Sequence, residues 1–166
     1  MKELILKAKI IANSDSQVLI YGETGTGKEL LVQAIHNSSS VRINHPFIAQ
    51  NCAAIPSTLL ESILFGTTAG CFTSAQNKPG LFELANNGTL FLDEINSMDI
   101  MLQSKILKAL EEKEIRRIGG ESCIDIDLRV ISALNVNPIE AMKYKIGRKE
   151  LFYRKKIIHI DLTFSD

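Results

Sequence analysis

Residues 22–29, GETGTGKE, set three glycines, a lysine and two acids at the spacing a polyphosphate site would use. Gly22, Gly25 and Gly27 allow a tight turn whose backbone N–H groups can aim at phosphate oxygens, with Glu23, Thr24 and Thr26 completing the loop. Lys28 can reach the β- and γ-phosphates, and a helix beginning there adds the positive end of its dipole. Where the phosphate-loop pattern calls for a magnesium-binding hydroxyl, Glu29 stands instead. A carboxylate ~4 Å from a phosphate costs roughly 1–4 kcal/mol at surface-like dielectrics. The same acid in the first turn of a helix is stabilised by about 0.3–1 kcal/mol. Glu29 is therefore expected to turn away from the phosphates, and the metal to be held from elsewhere. The segment TLFLDE (89–94) supplies the holder. Asp93 falls at the carboxyl end of an apolar strand, where parallel sheets place their ligands, and is the candidate for Mg2+, directly or through water. Glu94 beside it can polarise the water that attacks a γ-phosphate. Taken singly, a glycine turn and an acidic helix cap would be ordinary structure; together they point to a nucleotide with Mg2+.

Elements of the right kind surround these residues. Leu4, Ile5, Ala8, Ile11 and Ala12 recur at helical spacing, which predicts a helix over 2–13. The apolar run QVLIYG (17–22) predicts a buried strand that feeds the glycine turn, and 28–39 a helix with Leu30, Leu31, Ala34 and Ile35 on one stripe. Strands are expected at 46–51, 88–95, 127–135 and 156–162, and helices at 55–66, 98–115 and 137–145. Residues 67–80, TTAGCFTSAQNKPG, are small and polar and read as an exposed loop. Strands alternating with helices give an α/β fold in which a mostly parallel five-stranded sheet is flanked by helices, a three-layer arrangement in one domain over 1–166.

Composition sets the outer bounds. The 166 residues carry 19 acidic and 19 basic side chains, so no net field favours nucleic acid or an anionic membrane. No apolar run approaches the roughly 20 residues a membrane span requires. Cys52, Cys71 and Cys123 are odd in number and lack a C-x-x-C pair, so free thiols and a cytoplasmic location are expected.

GETGTGKE, NCAAI, GCFTSA, GLFELANNGTLFLDEI, RVISALN and RKELFYR occur in one order. Together they resemble the central AAA+ ATPase domain of the sigma-54-dependent bacterial transcriptional activators, whose phosphate loop ends Lys-Glu. The resemblance spans essentially the whole chain. It implies a P-loop NTPase core that hydrolyses ATP in a ring, usually a hexamer, and remodels the sigma-54 RNA polymerase closed complex. Gly22 to Glu29 then match the Walker A loop, and Asp93 and Glu94 the Walker B pair. Asn51, by composition only a strand-end turn residue, matches the asparagine that holds the Walker B glutamate according to nucleotide state. Asn135 matches the sensor I residue, and Arg148 and Arg154 the two arginines offered to ATP in the next subunit. Phe72 and Thr73 match the tip of the GAFTGA loop that contacts sigma-54. In that loop Cys71 and Ser74 replace Ala and Gly, and Ser resists backbone angles that Gly adopts. Gly147 and Lys155, beside the arginine pair, replace the usual Phe and Leu. The family's helical lid and DNA-binding domain are not expected within these 166 residues, so DNA contact would come only through another domain. A different reading is a nucleotide-binding or interaction module without turnover, for want of the lid. A small-molecule kinase would leave residues 70–75 and the arginine pair unexplained.

Overall fold

The computed structural model describes residues 2–14, 16–137, 139–140 and 157–162. Helix α1 (Lys2–Ala12) precedes strand β1 (Gln17–Gly22), helix α2 (Lys28–Asn37) and strand β2 (Phe47–Asn51). Next come helix α3 (Ser57–Phe65), a small hairpin of β3 (Gly66–Thr67) and β4 (Lys78–Pro79), and the one-turn helix α4 (Leu81–Leu84). Strand β5 (Thr89–Asp93) leads through a 3-10 turn (Ile95–Ser97) into helix α5 (Ile100–Glu112). A second hairpin of β6 (Glu114–Ile115) and β7 (Ile124–Asp125) is followed by β8 (Arg129–Leu134) and β9 (Ile157–Leu162).

Five strands join in one sheet in the order β2-β5-β8-β1-β9, and every pairing in it is parallel. Alternation along each strand divides the apolar side chains between two faces. Leu19, Leu90, Leu92, Val130 and Leu134 enter one core with Leu60, Leu64, Phe82 and Ile106 of α3, α4 and α5. Val18, Ile20, Phe91, Ile131 and Ala133 enter the other with Ala8, Ile11, Val32 and Ile35 of α1 and α2. The result is the three-layer α/β sandwich expected from the strand and helix order.

Strand order also fixes where a ligand belongs. The chain leaving β1 runs past β8 and β5 to β2, whereas the chain leaving β8 runs the other way to β9. Neighbouring strands whose connections diverge open a crevice at their carboxyl ends, the usual binding place in such sheets. Here the crevice lies between β1 and β8.

The strand at 17–22 has the predicted bounds, and the other four differ from expectation by one or two residues at an end. Three segments differ more. The expected helix over 98–115 begins only at Ile100, where the Asp99 carboxylate caps it by accepting from Leu102 N at 2.8 Å. It stops at Lys113, whose φ of 54° turns the chain into the β6–β7 hairpin. Residues 67–80 are exposed at their tip but anchored at their base, where Thr67 is buried and its hydroxyl donates to Gln76 O at 2.7 Å. Helix α4 is too short to show a period. Most of the helix expected over 137–145 lies outside the described residues.

A buried pair fastens α2 to the sheet: His36 Nδ1 lies 2.8 Å from Thr89 Oγ1, and the imidazole packs against Phe47. Burial holds the His36 pKa below its ordinary 6.5; a hydrogen bond with the His45 backbone opposes this, while the Arg42 and His45 charges reinforce it. A histidine depressed on folding contributes stability above the unfolded pKa and loses it as pH falls through the folded one. Unfolding free energy should therefore decline as pH drops below about 6.5. In His36→Phe that decline should flatten in denaturant titrations at pH 7.5 and 5.5. An unchanged slope would assign the pH dependence to another group.

Candidate nucleotide site

The loop after β1 is shaped by backbone conformation. Gly25 and Gly27 adopt φ of +87° and +80°, with open space where a Cβ would stand, so only the dihedral requires glycine there. Thr26 closes the turn, its N–H and hydroxyl both reaching Glu23 O, at 3.3 and 2.8 Å. Gly27 is the N-cap of α2, and the N–H groups of that first turn have no partner within the helix. Lys28 is buried and its ammonium donates to Gly22 O at 2.5 Å and Glu23 O at 3.3 Å. It thus spans the loop from within and concentrates positive charge beneath it. Glu23, Thr24 and Glu29 are exposed.

Asp93 and Glu94 emerge, both half-buried, from the end of β5. Asp93 Oδ1 accepts from Glu94 N at 2.9 Å, which leaves Oδ2 for a ligand. Glu94 has φ 54° and ψ 47°, a left-handed conformation costing roughly 1–2 kcal/mol for a residue with a Cβ. Such strain persists only where neighbours over-determine it. They do so here: Ser97 N donates to Glu94 O at 3.0 Å, and Gln103 Nε2 reaches Ile95 O and Met98 O at 3.3 and 3.1 Å. Gln103 is the signal overlooked in sequence, a polar residue on the apolar stripe of α5. Cys52 lies behind the acids, its N–H donating to Asp93 O at 2.9 Å. Burial, reinforced by the Asp93 and Glu94 charges, pushes its thiol up to about 12, so it stays protonated.

Two asparagines flank the acids. Asn51 is the parallel-register partner of Asp93, and its Oδ1 accepts from Ala53 N at 2.8 Å. Asn135 follows β8 and is joined to Asn96 by two hydrogen bonds. Nothing in the spacing of the sequence paired Asn96 with Asn135, which lies 39 positions away. Lys28, Asp93, Asn51 and Asn135 thus gather at the carboxyl ends of four adjoining strands. Among the described residues no cluster of three or more His, Cys, Asp or Glu could hold a metal unaided. One carboxylate suits Mg2+ carried by a nucleotide's own phosphates.

The 66–79 hairpin projects from the α3 side. Thr68 N and Oγ1 both donate to Ile118 O, and Ile118 N donates to Gly66 O, binding the hairpin base to the segment between β6 and β7. Arg117 in that segment makes a paired contact with Glu83 of α4, two bonds of 3.0 Å. Beyond the base, Phe72 is 55% exposed and Thr73 is exposed. Ala75 N donates to Phe72 O, closing a turn whose third residue, Ser74, has φ +67°. That is the position for which such turns favour Gly. Arg148 and Arg154 lie outside the described residues.

Comparison with known proteins agrees with this geometry. The Sigma-54 interaction domain family matches residues 1–161. The chain is 52% identical over 158 residues to the transcriptional activator RocR of Bacillus subtilis, covering 95% of this chain and 34% of that protein. To the regulatory protein AtoC of Escherichia coli it is 52% identical over 153 residues, 92% of this chain and 33% of AtoC. The crystal structure of NtrX from Brucella abortus in complex with ATP superposes with a TM-score of 0.86 at 34% identity, over 98% of this chain and 36% of NtrX. The chain spans about a third of the length of these proteins.

Relief of the strain at Ser74 is measurable. Ser74→Gly should raise the thermal midpoint, by a net gain on the order of 0.5–1 kcal/mol after the added freedom of the unfolded glycine is subtracted. A lowered midpoint would mean that the serine is comfortable in this turn.

Proposed function

The chain belongs to the Sigma-54 interaction domain family and has the AAA+ P-loop NTPase fold, and on that premise we propose that it binds and hydrolyses ATP with Mg2+ to act on a sigma-54 transcription complex. One observation carries the nucleotide reading: the glycine loop with Lys28, the acids Asp93 and Glu94, and Asn135 meet beside the crevice where the strand connections diverge. In this reading the loop 22–28 wraps the phosphates and Lys28 leaves its carbonyl partners for the β- and γ-oxygens. Asp93 Oδ2 holds the Mg2+ that arrives with the substrate, directly or through water. Glu94 orients the attacking water and accepts its proton. Asn51 has an unused amide NH2 with which to meet Glu94, and Asn135 offers a donor to the terminal phosphate.

Arg148 and Arg154 are assigned to the ATP of a neighbouring copy, where a guanidinium neutralises charge developing on the transferred phosphoryl. Such a group supplied by a partner is worth about 10³–10⁵ in rate. It also makes turnover depend on assembly, in this family usually a hexameric ring. Exposure of Phe72 and Thr73 on an anchored hairpin supports their assignment to the sigma-54 contact. DNA contact is assigned to a region outside these residues. No helix among the described residues is long and apolar enough to cross a membrane.

Two measurements test the proposal. In nucleotide titrations with Mg2+, Lys28→Ala should lose most of the affinity, while Glu94→Gln should keep it and lose phosphate release. Unchanged binding in Lys28→Ala overturns the site, and surviving turnover in Glu94→Gln gives the water to another group. Phosphate release per chain should also be weak when dilute and rise as sedimentation shows self-association. Brisk hydrolysis by a stable ring at every concentration would contradict the dependence on shared arginines, and binding with no turnover at any concentration would favour a non-hydrolytic module.

A further inference from the structure

Resting on the nucleotide reading above, we infer that Asn96 is a positioning residue that decides which end of the Asn135 amide is offered to a bound nucleotide. Asn96 lies in the 3-10 turn that follows Glu94, and Asn135 follows β8 in the next strand of the sheet. Asn96 Oδ1 accepts from the Asn135 backbone N–H at 3.4 Å, and Asn96 Nδ2 donates to Asn135 Oδ1 at 2.9 Å.

The first of these bonds orients the second. A backbone N–H only donates, so the end of the Asn96 amide that faces it is the oxygen. The other end is then an NH2, which also only donates, so Asn135 must turn its oxygen to it. What Asn135 retains for a ligand is its NH2: two donors and no acceptor. Phosphate oxygens only accept. The amide is therefore preset as a donor before any nucleotide arrives, and no side-chain reorganisation is required when a terminal phosphate is present. Without Asn96, rotation by about 180° about χ2 would present the carbonyl oxygen about as readily, because the two ends of the amide have nearly the same shape. An oxygen set against a phosphate repels it. Preference for a triphosphate over a diphosphate thus depends on a residue assigned no contact with either.

Asn96 has a second consequence for the same site. Its turn is the one held by Gln103 beneath Glu94, so a single side chain joins the segment bearing the water-orienting acid to the strand bearing the phosphate donor. Movement of either is then communicated to the other.

Asn96→Asp and Asn96→Leu separate this role from a structural one. The carboxylate of Asn96→Asp still accepts from the Asn135 N–H, but its second oxygen must draw the Asn135 NH2 towards itself and turn the carbonyl outward. Leucine keeps the volume and removes both bonds. Dissociation constants for ATPγS and for ADP, each with Mg2+, should be measured for both variants in the native and the Asn135→Ala backgrounds. The ADP-to-ATPγS ratio should fall by at least about tenfold in Asn96→Asp, the scale of one hydrogen bond to a charged group, and by less in Asn96→Leu. In the Asn135→Ala background neither variant should change that ratio further. In the nucleotide-free chain the Asn96 side-chain NH2 should be protected from hydrogen exchange, and Asn135→Ala should remove the protection. Thermal midpoints identify any variant that fails to fold. Native ratios in both variants, or equal changes in both backgrounds, overturn the inference while leaving the nucleotide site intact. Absence of nucleotide binding by the unaltered chain overturns the site itself and the inference with it.

Discussion

Five parallel strands leave no face for water, because each must be returned to the same end of the sheet by a chain crossing one face or the other. In this molecule α1 and α2 cover one face and α3, α4 and α5 the other. The ends of the strands are what remains accessible, and the polar groups of the site gather at the carboxyl ends. There the backbone stops pairing, polar side chains are tolerated, and connections that diverge leave a crevice. Everything else described depends on that arrangement: the glycine loop follows β1, the acids end β5, and the asparagines end β2 and follow β8.

Charge at this edge is organised by burial. Lys28 is the buried cation of the loop, and its ammonium rests on two carbonyl oxygens instead of a carboxylate. Carbonyl dipoles stabilise an ammonium without neutralising it, so its charge is still available to a polyphosphate. The carboxylates of Asp93 and Glu94 are half-exposed and near enough to raise the Cys52 thiol. Cation and anions thus issue from separate strands. A Mg–ATP complex, itself a mixture of both signs, can lie between them with each charge opposite its complement.

Backbone strain marks two places, and they differ in how they are held. Glu94 is left-handed within a turn bonded from several directions, including the buried Gln103. Ser74 is left-handed at an exposed tip closed by a single backbone bond from Ala75 to Phe72. The first is a fixed geometry that places Glu94 beside Asp93. The second is a conformation that little around it enforces, on the hairpin whose base is nonetheless tied through Ile118 to the β6–β7 segment.

Much of this was legible in the chain itself, because the signals concerned are local. An apolar run bounded by turn residues must be buried, so all five strands of the sheet could be read from 17–22, 46–51, 88–95, 127–135 and 156–162. Glycines at 25 and 27 announce dihedrals other residues avoid, and an acid after TLFL can only stand at a strand's end. What the sequence could not display was the meeting of residues far apart along it. Asn96 and Asn135 become partners only because β5 and β8 are neighbours in the sheet. Asn51 comes level with Asp93 only through the register of β2 on β5, and only the fold shows that its oxygen is taken by the Ala53 N–H. The helix over 98–115 lost its ends to a cap at Asp99 and to pairing between β6 and β7, strands of two residues each that no periodicity can reveal. Local chemistry therefore determined which groups this protein possesses. Tertiary packing decided which of them touch, since contact depends on strand order and register, and those are properties of the assembled sheet.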